Sequence, residues 1–440
     1  MIKFNEIKQY LKFNICDFYI LIWLLYFFHW YAEDTVPSLE PFANVFLGLN
    51  LVISAFCFRK VFTTQKLSTV FIAINCLLVL YVVYGTLAIL INPVIRHKGH
   101  NINNSSYIIG PLRTFLPIYA FYLFTRLGYL TKTKIQMWFF VFLAETLYLN
   151  YQNQFLRFGR EVEELYTNNI GYLFAGLFPF VYFFKKKPLV QNALLALLCV
   201  FTIQAMKRGA ILIGVVCTLL YIRDKFLNMR KKSDILAIFL MIIAAWYVVS
   251  FTSKTYQTSE NFQERWEKTK RGNDSKRGKL RRELISGFYL EADFTRAFFG
   301  LGANGTLKIT TNWAHNDWIE TLVDNGYVGL SFYAFFWVSF FLTWWRRMKK
   351  MPLEFRVMEM VIISGLIRTY FSMWYNNSNM FVTLPIGYCL AQLSLSQEKE
   401  AEEKKQEIIN AHLSTGMEDN IDQIQPIPGD LPVASSAIAH

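Results

Sequence analysis

"AHNDWIETLVDNGYVGLSFYAFFWVSFFLTWWRRMKK", residues 314–350, begins with one His and three acids, continues as an apolar run, and closes on four basic residues. An apolar stretch of roughly 20 residues is what crosses a bilayer as a helix. The basic cluster at its far end marks the cytoplasmic side. The polar start, with His315, is thereby expected at the opposite surface.

The rest of the chain repeats this pattern. Of 440 residues, 54% are apolar and 17% aromatic, while only 18% are charged, against roughly 25% in a soluble domain. The net charge of +13 is concentrated in short basic connectors between apolar runs, so it points to membrane topology and not to a nucleic-acid partner. Apolar runs lie near 15–31, 41–58, 68–92, 107–125, 135–150, 168–184, 188–204, 209–222, 234–251, 327–345, 357–375 and 380–395. The expected fold is all-α: a polytopic membrane protein of about twelve transmembrane helices, with one long, partly helical external loop between spans nine and ten. With the N-terminus inside, the inner connectors hold 22 Lys and Arg and the short outer ones 6, which favours both termini in the cytoplasm. The expected divisions are 1–251 (spans one to nine), 252–326 (external loop), 327–395 (spans ten to twelve) and 396–440 (a charged cytoplasmic helix and a disordered tail).

The first span lacks an A-x-A-like cleavage site and exceeds a usual signal core, so it is expected to remain in the protein. Ahead of it, Phe4, Ile7 and Leu11 share a helical face that suits the membrane interface. All six cysteines fall within or beside apolar runs, which leaves none for a disulfide in an outer loop. The histidines are scattered, and neither CxxC nor HExxH occurs, so metal-ligand spacing is missing.

The long connector, about 252–315, carries helical patterning in "NFQERWEKTK" (261–270) and "KLRRELISGFYLEADF" (279–294). "GLGANG" (300–305) matches GxGxxG literally, but no βαβ unit surrounds it, and the glycines read as turn formers. In the opening stretch, Asn316 or Asp317 suits a helix cap and Glu320 sits at capping-box distance from Asp317. Gly326 suits a left-handed turn. Capping accounts for the acids and leaves His315 to be explained either as a loop residue or as chemistry.

His315-Asn316, Ile319, Leu322, Gly326 and Gly329 resemble the HN-x-x-L-x-x-L-x-x-x-G-x-x-G signature of the O-antigen ligase and polymerase superfamily, with Ile319 in place of the first leucine. "KRGAILIG" (207–214) is similar to its S-R-G-A motif and carries Arg208. "SKRGKLRRELISGF" (275–288) resembles its G-R-x-x-x-W-x-x-x-L-x-x-F segment, with Arg277 on the motif arginine and Arg281 where tryptophan is common. "FFGLGANG" (298–305) resembles its glycine turn.

That resemblance implies an enzyme acting on undecaprenyl-pyrophosphate-linked glycans at the outer face of the bacterial inner membrane, without metal or nucleotide cofactor. The acceptor is a lipid A core sugar for a ligase, or a growing glycan for a polymerase. The single large loop favours the ligase. Charge growing on the pyrophosphate leaving group calls for guanidinium donors, which stay ionised and grip two oxygens at once. Arg208 and Arg277 are the candidates. An acceptor hydroxyl calls for a base with a pKa near neutrality, and His315 is the candidate. Arg113 and Arg368 lie inside apolar runs, where an arginine needs a reason. With Asn316 and Arg281 they are expected around the substrate, unless they snorkel or pair with Glu320 or Asp324. Gly326 and Gly329 are expected to be structural. A transporter would show two similar halves, which this chain lacks. A purely structural role would leave Arg208, Arg277 and His315 unexplained. Oligomeric state is open.

Overall fold

Apolar runs free of Pro and Gly propagate as helices, because a backbone in lipid must satisfy its own hydrogen bonds. The structure, a computed structural model, describes residues 12–32, 40–65, 67–97, 100–152, 169–205, 207–227, 276–291, 293–310, 312–374 and 380–414, with isolated positions between 239 and 267. Helices α1 (Ile15–Ala32), α2 (Glu40–Thr64) and α3 (Thr69–Ile91) come first. A two-stranded antiparallel hairpin follows, β1 (Val94–His97) against β2 (His100–Asn103), with Val94 opposite Asn103. Next are α4 (Ser105–Arg126), α5 (Lys132–Tyr151) and α6 (Gly171–Leu177), which tightens into a 3₁₀ segment at Phe178–Phe184. Then come α7 (Pro188–Gln204), α8 (Arg208–Leu227), α9 (Lys276–Glu291), α10 (Phe294–Phe299) and the single turn α11 (Thr306–Ile309). The chain continues as α12 (Asp317–Leu342), which runs on as a π turn to Arg347, then α13 (Pro352–Phe371) and α14 (Met380–Ser414).

The helical, multi-pass class holds, but the count of twelve spans does not. Among the described residues, four helices are long and apolar enough to cross a membrane: Pro41–Thr64, Thr69–Ile91, Ser105–Arg126 and Asp317–Arg347. A hydropathy window responds to mean apolarity and is blind to where a helix breaks and which charges flank it. The run at 168–184 is broken between a seven-residue helix and a 3₁₀ segment with Pro179 at its start, and α7 has only 17 residues. The runs at 135–150, 209–222 and 357–375 become helices that take in charges: Lys132, Lys134 and Glu145 in α5, Arg208, Arg223, Asp224 and Lys225 in α8, and Glu354, Arg356, Glu359 and Arg368 in α13. The run at 380–395 contains Pro385 and continues into a charged stretch. The run at 234–251, the helix expected in "NFQERWEKTK", the interfacial face of Phe4, Ile7 and Leu11, and the tail beyond Ser414 lie outside the described residues, apart from isolated positions.

Two packings hold the start of α12 and the end of α13 together. α12 lies against α3 and α13, and α13 against α8. An aromatic knot fixes the first: Trp374, just past α13, packs its ring 5.6 Å from Phe336 and 5.3 Å from Trp337 of α12, and 5.9 Å from Phe115 of α4. Elsewhere a buried Asp17–Lys134 pair, with Trp138 Nε1 donating to Asp17 at 2.8 Å, ties α1 to α5. Residues from Ser394 onward form a separate unit. Its described part is an exposed charged helix with a Lys399–Glu403 pair at 3.6 Å.

Candidate functional site

The polar start of α12 organises the site. Asn316 is the cap: its side-chain oxygen accepts from the Ile319 backbone N–H at 3.0 Å, satisfying one of the orphan donors of a helix start. Ile319 therefore holds the third helical position, and Glu320 falls one residue beyond it, outside the expected capping box. Asp317 is buried and accepts from Tyr333 Oη at 2.7 Å and from the Trp374 backbone N–H at 2.9 Å. This bond clamps the chain leaving α13 onto the beginning of α12. Half-buried His315 precedes the cap with φ 49°, a left-handed conformation that is uncommon outside glycine. Asn304, also left-handed at φ 55°, is the other such non-glycine residue among those described.

Gly326 is left-handed, though within a helix and not at its end. It takes φ 63° in the middle of α12 and kinks the helix there. An added Cβ would overlap the Phe298 carbonyl, so α10 approaches this kink more closely than any other residue type allows. The glycine turn at 300–305 wraps the same place: Leu301 and Gly302 donate backbone bonds to Val323 and Asp324 carbonyls at 2.8 and 2.9 Å, and Asp324 Oδ1 accepts from Thr306 N at 3.0 Å. Gly329 lies against the Asn325 and Thr321 side chains. The Tyr289 and Tyr327 hydroxyls, 2.8 Å apart, join α9 to α12 beyond the kink, and this bond raises the Tyr289 phenol above its ordinary pKa, with a smaller push from burial.

Distant segments meet at the last turn of α13. The Tyr370 carbonyl accepts from Arg281 Nη2 at 2.5 Å and from Asn316 Nδ2 at 3.3 Å, and the Arg281 guanidinium lies 4.5 Å from the centre of the Tyr370 ring. Thr369 Oγ1 accepts from Trp318 Nε1 at 3.0 Å. Arg368 sits 4.9 Å from the centre of the Tyr172 ring, and Lys207 stands 5.6 Å from the same ring while donating to Asn169 Oδ1 at 2.8 Å. Gly209 is wedged here: a Cβ would overlap the Tyr172 hydroxyl and press on Phe371. Arg208, the first residue of α8, is exposed beside it.

Of the residues expected at the site, Asn316, Arg281, Arg368 and the Arg208–Gly209 turn are thus gathered around one helix end. Arg113, buried in α4, donates to Tyr26 Oη at 2.6 Å. Arg277 lies in the first turn of α9, and its side chain lies outside the described residues. Tyr172 and Tyr370, which hold the cations, carry no local sequence signal, because each meets its partners only through the folded chain. Glu320 and Asp324, expected as capping and pairing groups, are buried.

These features define a multi-pass membrane protein with a capped His-Asn helix start and arginines from separate segments beside it. The O-antigen ligase family matches residues 193–334, which include Arg208, Arg277, Arg281, the glycine turn and the His315 helix. This segment, about a third of the chain, is similar to that family, and the membrane helices described above suit the likeness. No curated protein matches the chain.

Proposed function

We propose that the protein transfers a glycan from undecaprenyl pyrophosphate to an acceptor hydroxyl at the outer face of the inner membrane, as an O-antigen ligase-like enzyme. The observation that carries this reading is the convergence on the end of α13. Motif residues from three separate segments meet there: Lys207–Gly209 against Tyr172 and Phe371, and Arg281 and Asn316 on the adjacent Tyr370 carbonyl.

In this reading Arg208 and Arg277 bind the pyrophosphate and oppose the negative charge that grows as the anomeric bond breaks. Arg281 and Arg368, oriented by tyrosine rings, add positive potential. His315 removes the proton of the attacking hydroxyl, and direct displacement inverts the anomeric centre. The left-handed turn at His315 supports the assignment, since unusual backbone geometry is often stored where function needs a fixed side chain. One helix supports this orientation: the motif opens Asp317–Arg347, and Arg346, Arg347, Lys349 and Lys350 close it, which by positive-inside bias favours His315 at the outer surface. Arg113, engaged with Tyr26, serves the helix packing. The acceptor is a lipid A core sugar or a similar saccharide.

The test is the full-length protein purified into lipid, given an undecaprenyl-pyrophosphate-linked oligosaccharide and a panel of acceptors, with transfer scored by mass. In cells, a deletion should leave long polymer on the lipid carrier. Single repeat units accumulating instead would identify a polymerase. Cysteines introduced at 295 and 349, both exposed, should label from outside and inside respectively, and the reverse pattern would overturn the orientation.

A further inference from the structure

Glu320, one turn into α12 beyond the Asn316 cap, is only 1% exposed. Neither of its carboxyl oxygens has a hydrogen-bond partner among the described residues. The Ala314 backbone N–H lies near enough to act on the carboxyl, so the group sits close to the His315 turn. It faces a cavity of about 20 Å³ that Ser106, Tyr107, Asn304, Trp313 and Asp324 also line.

These polar neighbours are all engaged. Tyr107 Oη donates to Asn325 at 2.8 Å, and Ser106 Oγ to the Asn103 carbonyl at 2.8 Å. Asn304 donates to Asn104 at 2.9 Å and accepts from Trp313 at 3.4 Å, while Asp324 accepts from Thr306. Among the described residues lining the cavity, Glu320 alone keeps its side-chain hydrogen-bonding capacity unused. A buried carboxyl without a partner is costly, and an apolar residue of the same size would avoid that cost. The space admits one hydroxyl or one water, which needs about 10–15 Å³.

We propose that Glu320 is a hydroxyl-binding subsite: its carboxyl oxygen accepts a hydrogen bond from one hydroxyl of the acceptor sugar and seats that sugar beside His315. This rests on the glycan-transfer reading. The chemistry selects the acceptor over the donor. Two acidic side chains, Glu320 and Asp324, face the cavity and no cation lines it, which suits a pyrophosphate poorly, while a neutral hydroxyl supplies the donor that Glu320 lacks. Half-buried Trp313 on the wall offers a ring for the apolar face of a sugar.

The experiment uses the full chain in lipid nanodiscs, with methyl glucoside, methyl galactoside and methyl N-acetylglucosaminide as acceptor probes. The first readout is the infrared carbonyl band present in the wild type and missing from Glu320→Gln. At least one glycoside should shift it. The second readout is transfer from an undecaprenyl-pyrophosphate-linked oligosaccharide to that glycoside. Glu320→Leu should raise the acceptor KM by about tenfold or more and leave the donor KM unchanged, while Glu320→Gln, whose amide oxygen still accepts, should stay within about threefold of wild type. If Glu320→Leu does not fold, the band shift decides. A shifted band without transfer by the wild type would uphold the subsite and overturn the transfer reading. Transfer with a static band and an unchanged acceptor KM would overturn the subsite and leave a cavity for water only. A static band and no transfer would overturn both.

Discussion

The antiparallel pair α8 and α13, each of 20 residues, has two ends, and they treat cations in opposite ways. At one end Arg223 meets Glu359 at 2.7 Å, Arg356 meets Asp224 at 2.7 Å, and Arg356 also meets Glu359 at 3.0 Å. At the other, Arg281 meets a carbonyl and the Tyr370 ring, Arg368 the Tyr172 ring, and Lys207 the Asn169 amide. Carboxylates neutralise a guanidinium and fix it as a strut. Rings and carbonyls orient a cation without cancelling its charge. The first arrangement suits holding two helices together, and the second, at Arg281, fits the anion site proposed above.

The sharpest way to break this comparison is at the end where the tyrosine rings lie. His315→Ala is expected to lower transfer by roughly 10²–10⁴, the usual weight of a positioned base. Donor binding and folding should be kept, because Asn316 and not His315 caps α12. Transfer and binding measured from pH 5 to 9 check this. Equal losses in both would make His315 a phosphate ligand. Arg208→Lys comes next, at roughly ten- to a hundredfold, since lysine keeps the charge and loses the paired donors of a planar fork. Normal activity in that variant would argue against bidentate phosphate recognition.

How much of this was legible in the sequence depends on the distance over which each feature is decided. The Asn316 cap and the left-handed Gly326 are local, set by a few residues and their φ/ψ preferences: the cap was narrowed to Asn316 or Asp317, and the left-handed glycine was read but placed at a turn end and not inside the helix. The order of the motifs along 207–329 was legible too, because it requires only matching residue types. The span count was not, since mean apolarity hides the break after α6 and the charges within α5, α8 and α13. Nor was the convergence of Arg281 and Asn316 on one carbonyl at Tyr370, which exists only because α13 ends where α12 begins. Glu320 shows the limit most clearly: its spacing from Asp317 matches a capping box, yet the cap forms one residue earlier and turns the carboxyl inward.

A smaller effect tests whether the two helices must approach closely where the cations gather. Gly209→Ala adds a methyl that overlaps the Tyr172 hydroxyl. Overpacking of this kind costs about 1–3 kcal/mol. The helices should splay slightly, moving Arg208 and Arg368 apart and reducing transfer several-fold. Tyr172→Phe removes the obstructing oxygen and is expected to restore part of the loss in the double variant. A double variant no better than Gly209→Ala would place the constraint on Phe371 instead.

The smallest expected change in transfer comes from the opposite end, and it tests the comparison as a whole. Glu359 is buried and joins Arg223 to Arg356, so Glu359→Gln removes the charge both arginines share while keeping the volume. Arg356 retains Asp224, and the Arg223 side chain, 44% exposed, can turn to water, which limits the penalty to about 1–3 kcal/mol. The unfolding temperature in detergent should fall by an amount that matches this loss. Transfer per folded molecule, and the KM for donor and acceptor, should stay at wild-type values, because a strut that holds through its remaining pair leaves the far end of α13 where it was. A fall in transfer with no fall in unfolding temperature would mean that the paired end communicates with the site, and the division between a neutralised strut and the proposed anion site would fail.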